Sequence, residues 1–372
     1  MRRRPLRREG RRRRRAGGPL TRADLRRAIG RLLCVGIPGP VLDENSRAAL
    51  DTLHAGTIVL FRRNLESVAQ LRMLTRELKA LPARPFVAID HEGGRVQRLG
   101  EPFTRLPPAA AIGRRGDRDV AYAVGRAMAA ELGAVGIDID FAPVLDVHSN
   151  PANPVIGDRA FATTPDVVAA LGIALMEGLR DGGVIPCGKH FPGHGDTAVD
   201  SHFALPTVAR SRAELEDTEL RPFRAAVAAG IPMIMSAHVI FPALDPLQPA
   251  TVSRAILTDL LRGELGFRGV IASDDLEMRA ITAAQDIATA AVASLAAGAD
   301  MLLVCESLVR AGEVSAAVER AVLEGGLPEE TVTTAAARIA ALRETCPAPS
   351  DCVCALPNPE HQALVQRITA EA

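Results

Sequence analysis

The chain has 372 residues, 48% of them hydrophobic, and its 44 Lys and Arg residues balance 44 Asp and Glu residues. This length suits one large α/β domain or two ordinary ones, and the balanced charge argues against a body built to bind nucleic acid or an anionic membrane. No apolar run reaches the roughly 20 residues of a membrane span. Because the chain has no Trp and a single Tyr, we expect it to hold a ligand mainly through hydrogen bonds and charge.

The first fifteen residues contain ten Arg and one Glu. No apolar stretch follows them, so the N-terminus does not have the pattern of a secretory signal. Such a segment is either a basic arm for nucleic acid or anionic surfaces, or an extension without a fold. We expect residues 1–27 to be a disordered extension and the protein to be cytoplasmic.

From about residue 30, short β-branched runs alternate with longer amphipathic segments rich in Ala and Leu. The short runs predict eight strands, at 31–37, 57–62, 86–90, 137–142, 184–188, 233–238, 269–273 and 301–305. The longer segments predict helices at 66–80, 117–134, 165–180, 211–229, 253–264, 279–297, 308–323 and 329–343. Eight strands that alternate with helices predict an α/β fold, a single-domain (β/α)8 TIM barrel over residues 28–345, rather than a doubly wound sheet.

Residues 346–372 have a Pro-rich composition that predicts a tail on the outside of the barrel. Cys346, Cys352 and Cys354 lie in this tail with a spacing that matches no standard metal site, and a metal clip or a disulfide stays open. The other three cysteines, in apolar runs, are expected in the core: Cys34, Cys187 and Cys305.

Polar side chains end five of the eight predicted strands: Asp90, Asp146, Lys189 with His190, His238, and Asp274 with Asp275. Any one of these residues could simply cap the helix that follows it. In a TIM barrel, however, the carboxyl ends of all strands meet at one face, which is where active sites lie. The convergence therefore predicts an active site at this face. Since neighbouring strand residues face opposite sides, we expect Asp275 to be structural.

Two loops add groups that can bind hydroxyls. The run DHEGGRVQR at 90–98 places Asp90 and Arg98 around a Gly-Gly turn, where the backbone allows close approach of a ligand. The run VIGDRAF at 155–161 adds Arg159 in a similar setting. The alternative for the first run is an ordinary turn with a surface ion pair.

The run KHFPGHGDTAVDSHFAL at 189–205 is dense in titratable residues, and its Pro and Gly residues predict a loop. In an extended chain, Asp200 and His202 would face the same side about 6.6 Å apart at Cα. A carboxylate there would orient the imidazole and stabilise its charged form, as a general acid requires. The alternative is an ion pair at the tip of the loop.

The same loop could also bind a metal, with ligands from His190, His194, Asp196 and His202. However, an H-x-x-x-H pattern presents both rings on one face only in a helix, which Pro192 and the glycines prevent. We therefore expect neither a metal nor another cofactor.

Six motifs together resemble one family: IDHEGGRVQR, FAPVLDV, VIGDRAF, KHFPGHGDTAVDSH, MSAHVIFPALDP and SDDLEM. Over residues 30–345 the chain is similar to the family 3 glycoside hydrolases, and most of all to the NagZ-type β-N-acetylglucosaminidases of peptidoglycan recycling. The resemblance implies a TIM barrel and a retaining, two-step hydrolysis of terminal GlcNAc. It implies Asp274 as the nucleophile and His202 as the acid/base, assisted by Asp200. It also implies a sugar-binding set of Asp90, Arg98, Arg159, Lys189 and His190.

The implied substrates are GlcNAc-1,6-anhydro-MurNAc peptides, although other chitobiose-like sugars stay open. Position 91 is His where the family often has Gln. We expect a monomer or weak dimer that binds no nucleic acid. Two alternatives remain: a metal-dependent TIM-barrel hydrolase, and a non-catalytic protein that binds nucleic acid through its Arg arm.

Overall fold

A computed structural model describes residues 20–199, 204–345 and 354–370. Four residues singled out above lie outside this part of the chain: Asp200, His202, Cys346 and Cys352. Among the described residues, none of the helices is both long enough and apolar enough to cross a membrane.

Eight parallel strands close into a barrel, which confirms the predicted fold. They are β1 (Leu33–Gly36), β2 (Thr57–Leu60), β3 (Phe86–Ile89), β4 (Ile139–Asp140), β5 (Ile185–Phe191), β6 (Met233–Ser236), β7 (Val270–Asp275) and β8 (Met301–Val304). Each strand pairs with its neighbours in sequence, and β8 pairs with β1, where Leu302 lies opposite Leu33. Every residue of β1, β2, β3, β6 and β8 is buried. Barrel strands have this pattern because helices cover them outside and side chains fill the interior.

Helices surround the barrel, and several of the connecting loops contain short secondary-structure elements. The helices are Arg22–Leu32, Glu44–Leu53, Val68–Lys79, Ala109–Arg115, Arg118–Ala134, Pro165–Asp181, Arg212–Asp217, Leu220–Ala228, the π-helical Ala255–Glu264, Arg279–Thr282, Ile287–Ala297, Leu308–Leu323, Glu329–Thr345 and Pro359–Ala370. Single 3-10 turns occur at Arg62–Asn64, Gly157–Arg159 and Ala250–Val252. Two hairpins pair His91–Gly93 with Val96–Gln97 and Ile240–Phe241 with Asp245–Pro249.

Two predicted helices are each interrupted. The helix predicted at 211–229 breaks at Thr218, and a second helix begins two residues before Pro222. Proline fits the first turn of a helix but not its interior, because it lacks the backbone N–H. The helix predicted at 279–297 restarts at Asp286, whose carboxylate caps the new helix by accepting from the Thr289 N–H.

The first helix corrects the predicted N-terminal boundary. Arg22–Leu32 begins inside the segment 1–27, so the prediction of disorder is wrong for residues 22–27. Leu25, Ile29 and Leu32 form a buried stripe along this helix, with Thr21 as its N-cap. The many Arg residues on the other faces obscured this helical spacing in the sequence.

The C-terminal helix Pro359–Ala370 packs on the outside of the barrel, against helices Ala109–Arg115 and Arg118–Ala134. Its Leu364 and Ile368 are buried in the main hydrophobic core. The three cysteines predicted for the core, Cys34, Cys187 and Cys305, are also buried.

Candidate active site

A cavity of about 260 Å³ opens at the carboxyl ends of the barrel strands. The structure brings six sequence-predicted site residues to its wall: Asp90, Arg98, Arg159, Lys189, His190 and Asp274. The same wall includes residues that the sequence analysis did not assign to the site, among them Phe61, Glu92, His194, Met235, Asp275 and Met278. The convergence of strand ends therefore occurs as the TIM-barrel geometry predicts.

Lys189 and Glu92 lie at the centre of a buried network of charges. The Lys189 Nζ atom is 2.6 Å from Asp90 Oδ1 and 2.7 Å from Glu92 Oε1. Arg159 binds Glu92 through two parallel hydrogen bonds of 2.8 Å each. Arg98 lies 3.6 Å from Asp90 Oδ2, and its buried Nε has no hydrogen-bond partner among the described residues. That N–H is a donor that a bound ligand could use.

These contacts keep Glu92 and Lys189 ionised although both side chains are buried. Burial by itself would raise the pKa of Glu92, but Arg159 and Lys189 hold that pKa well below its ordinary value. Burial would likewise lower the pKa of Lys189, but Asp90 and Glu92 raise it above its usual range. The site thus presents fixed cations and carboxylates to its cavity.

Asp146 fixes the orientation of the His190 imidazole. The His190 Nδ1 atom is 2.7 Å from Asp146 Oδ2, and the backbone N–H groups of His190 and His194 donate to Oδ1. Burial opposes ionisation of Asp146, but His190 holds its pKa below the usual value. An ionised carboxylate only accepts hydrogen bonds, so His190 Nδ1 carries the proton that it donates to Asp146.

Asp274 lies at the end of β7, half-buried on the cavity wall. Its Oδ1 accepts a hydrogen bond of 2.8 Å from the backbone N–H of Asp275. Burial acts to raise the pKa of Asp274, but His238, His190, this hydrogen bond and Lys189 hold it below the ordinary value. The carboxylate is therefore ionised at neutral pH.

Asp275 differs from its neighbour in both contacts and ionisation. Its Oδ1 accepts from the backbone N–H groups of Glu277 and Cys305, which agrees with a structural role, but the residue also lines the cavity. Burial raises the pKa of Asp275 to about 7. Its carbonyl lies 2.9 Å from His238 Nε2, which donates to it from the end of β6.

Polar contacts hold the loop after β5 at residues 194–197. Asn153 Nδ2 donates to the carbonyls of His194 and Gly195. Gly195 is required there, because a Cβ atom would lie 1.6 Å from the Val147 carbonyl oxygen. Asp196 forms an ion pair of 2.9 Å with Arg210.

Three of the four considered metal ligands lie in the described part of the chain, and these three do not form one cluster. His190 engages Asp146, His194 Nδ1 lies 2.9 Å from the Thr197 hydroxyl, and Asp196 pairs with Arg210. In the part of the chain that the structure describes, no three His, Cys, Asp or Glu side chains are grouped to hold a metal ion.

Glu92 is the main functional residue that the sequence analysis missed. It lies two positions after Asp90, and strand-like spacing of two places both side chains on the same side. That signal was available in the DHEGGRVQR run. What the sequence did not show was that two distant cations meet at this carboxylate.

Comparison with known proteins identifies the family. Residues 24–342 match the glycosyl hydrolase family 3 N-terminal domain. The chain belongs to this family. The predicted enzyme class, a glycoside hydrolase, is thereby confirmed.

Several relatives are similar over most of the chain. A β-hexosaminidase of Chromobacterium violaceum is 46% identical over 291 residues, covering 76% of this chain and 81% of that protein. The family 3 β-N-acetylglucosaminidase of Paenibacillus sp. superposes with a TM-score of 0.89 at 39% identity, covering 94% of this chain and 68% of that one. NagZ from Neisseria gonorrhoeae, solved with N-trifluoroacetyl-D-glucosamine, has a TM-score of 0.78 at 38% identity, covering 91% and 97%.

Proposed function

We propose that this protein is a retaining exo-β-N-acetylglucosaminidase. It removes terminal GlcNAc from peptidoglycan fragments such as GlcNAc-1,6-anhydro-MurNAc peptides in the cytoplasm, and it needs neither metal nor cofactor. The observation that carries the proposal is an ionised Asp274 on the wall of a cavity that is lined with hydroxyl-binding groups. The names of the relatives support the choice of N-acetylhexosamine as the sugar.

Asp274 is the proposed nucleophile. Its carboxylate attacks the anomeric carbon while the bond from that carbon to the leaving oxygen breaks, which gives a covalent glycosyl-enzyme. Water then attacks the same carbon and releases Asp274. A nucleophile must be ionised and accurately placed, and the lowered pKa and the strand-end position supply both conditions.

The charged network is the proposed grip on the sugar. Asp90 can accept hydrogen bonds from sugar hydroxyls, and Arg98, Arg159 and Lys189 can donate to them. His190 presents its imidazole in the orientation that the hydrogen bond to Asp146 fixes. Because Glu92 holds both Arg159 and Lys189, the donors are ordered before a ligand arrives. Ordering in advance reduces the entropy lost on binding.

His202, assisted by Asp200, is the proposed acid/base. Both residues lie outside the described part of the chain, so this role rests on the sequence motif. His202 would donate a proton to the leaving oxygen and then take one from the attacking water. Asp275 is the competing candidate, since its pKa of about 7 suits proton transfer, but two backbone amides already occupy its Oδ1.

Trapping of the glycosyl-enzyme tests the nucleophile. A fluorinated GlcNAc glycoside with a good leaving group should leave a covalent sugar on the Asp274 peptide, detected by mass spectrometry, and none on D274N. An adduct on another residue would overturn the assignment. In parallel, aryl β-GlcNAc should be cleaved far faster than aryl β-glucoside or β-GalNAc.

The leaving-group dependence tests the acid/base. The H202A variant should lose far more activity on glycosides with poor leaving groups than on activated aryl glycosides, because only poor leaving groups need protonation. D275N should reduce the activity on both substrates by similar factors. If D275N shows the selective loss and H202A does not, the two roles are exchanged.

Metal removal tests the remaining alternative. Dialysis against EDTA should leave the rate of aryl β-GlcNAc hydrolysis unchanged. Loss of activity that added zinc restores would favour a metal-dependent hydrolase.

A further inference from the structure

We propose that the C-terminal helix Pro359–Ala370 is a positioning element for the sugar-binding side of the site, and that His361 is its key residue. The helix lies beyond residues 24–342, which match the family domain. This proposal rests on the proposed function, because that function assigns the charged network to sugar binding.

The polar connection begins at a buried carboxylate. The His361 Nδ1 atom lies 2.7 Å from Glu131 Oε1, and Glu131 is only 4% exposed. The same carboxylate accepts the Thr104 hydroxyl at 2.6 Å and the Thr104 backbone N–H at 2.9 Å. Burial would raise the pKa of Glu131, but these hydrogen bonds hold it below the ordinary value. His361 therefore donates to an ionised carboxylate that also holds Thr104 through two hydrogen bonds.

Thr104 is in turn tied to the hairpin His91–Gly93/Val96–Gln97. Gln97 Nε2 donates to the Thr104 carbonyl at 2.9 Å, and Gln97 Oε1 accepts the Leu106 N–H at 2.9 Å. The Leu106 carbonyl accepts the Gly94 N–H at the tip of the hairpin. This hairpin carries Glu92, and Arg98 follows it directly. Arg98 is thus one residue from Gln97 and Glu92 is two residues from Gly94, and both Gln97 and Gly94 are hydrogen-bonded to the segment 104–106 that begins at Thr104.

A second, apolar connection reaches Arg159. The C-terminal helix packs on helix Ala109–Arg115, which contacts the turn Gly157–Arg159. The contact is close: a Cβ atom on Gly113 would lie 1.6 Å from the Phe161 carbonyl oxygen. Phe161 follows the turn by two residues. Because backbones packed this closely leave no free space between them, movement of helix Ala109–Arg115 would displace Phe161 and the turn with it. The segments that carry Arg98 and Arg159 are thus both connected to the C-terminal helix.

Loss of His361 should weaken binding of the sugar without changing the positions of the reacting atoms. The H361A variant leaves Glu131 with Thr104 as its remaining partner and frees the 99–107 segment to shift. We expect KM for an aryl β-GlcNAc to rise about fivefold or more while kcat changes less than about twofold, as for lost uniform binding. Amide hydrogen exchange across residues 91–106 should become faster.

The test compares four variants of the full chain. H361A removes the donor, whereas H361N keeps an N–H close to the position of Nδ1 and should restore KM and slow exchange. T104V removes the hydroxyl that donates to Glu131 but keeps the backbone N–H, so it should raise KM and speed exchange in the same direction as H361A. Q366A, on the exposed face of the same helix, is the matched control and should behave as the wild type. If H361A fails to fold, H361N and T104V carry the comparison.

The outcomes separate this inference from the proposed function. Unchanged KM and unchanged exchange in H361A and T104V would overturn the inference. Equal effects of H361A and Q366A would overturn it too, since they would indicate general destabilisation. A wild type that does not cleave aryl β-GlcNAc, combined with faster exchange at 91–106 in H361A, would refute the proposed function and support the coupling.

Discussion

Glu92 shows how one buried residue organises this site. Its carboxylate accepts two hydrogen bonds from Arg159 and lies 2.7 Å from Lys189, and its side chain is 5% exposed. The two cations would repel each other in a buried site if this carboxylate did not lie between them. The charge of Glu92 therefore compensates both cations and orders the donors that would hold a sugar.

The substitution E92Q tests this role. Removing one member of a buried ion-pair network should lower the free energy of unfolding by about 3 kcal/mol, since it leaves buried charge uncompensated. KM for aryl β-GlcNAc should rise at least tenfold. Urea unfolding and steady-state kinetics measure both effects. The exposed Glu101 gives the matched control, and E101Q should change neither quantity.

At this scale, most of the candidate site can be predicted from the sequence. Asp90, Arg98, Arg159, Lys189, His190 and Asp274 were selected from strand ends, loop motifs and a family resemblance, and all line one cavity. Their individual roles stay predictions. Glu92 was missed because its importance comes from Arg159 and Lys189, and no local pattern shows that these side chains meet.

At the scale of elements, the loop after β5 packs against a buried acid, Glu219, which lies next to Gly193. Glu219 is fully buried, its Oε1 lies 3.5 Å from Arg210 Nε, and it accepts the Ser149 hydroxyl. Its Oε2 has no hydrogen-bond partner among the described residues. Burial raises the pKa of Glu219 from 4.5 to about 7, despite the charge of Arg210.

This raised pKa predicts how stability depends on pH. Between pH 4.5 and 7 the unfolded chain loses the Glu219 proton while the folded protein keeps it, so this group reduces stability as pH rises. E219Q removes that penalty. Relative to the wild type, the variant should gain on the order of 2 kcal/mol in free energy of unfolding between pH 5 and pH 8. Urea titrations at both values measure it, and an identical difference at the two pH values would contradict the assignment.

The two interrupted helices show that the hydrophobic periodicity of a segment does not locate a break within it. Pro222 and Asp286 were visible signals for a new helix start, and both were overlooked within longer periodic stretches. The helix Arg22–Leu32 was overlooked for a different reason, since its apolar stripe is short and surrounded by Arg. Its stability comes from packing against the barrel rather than from its own composition.

At the scale of the whole molecule, one seam closes the ring of strands. The seam between β1 and β8 joins the two ends of the barrel sequence, with Leu33 opposite Leu302, and both residues belong to the main core. Both are almost completely buried, so a void there would affect the closure of the barrel rather than one local element.

The substitution L33A tests the contribution of the seam. A fully buried Leu replaced by Ala should cost about 3 kcal/mol of unfolding free energy, from lost burial and the cavity left behind. Leu33 does not line the active-site cavity, so kcat/KM of the folded protein should stay within about twofold of the wild type. L247A is the control, since Leu247 is 80% exposed and should contribute little. Equal effects of the two variants would argue against a tightly packed seam.

The sequence by itself determined the alternation of strands and helices, the barrel that this alternation implies, and the set of polar strand ends. These features depend on side-chain periodicity and turn residues within a few positions of one another. Only the tertiary structure decided that Glu92 joins Arg159, 67 residues away, and that Asp90 joins Lys189, 99 residues away. It alone also places His361 against Glu131. Such contacts depend on where the packed core places each backbone, which no local pattern of residues specifies.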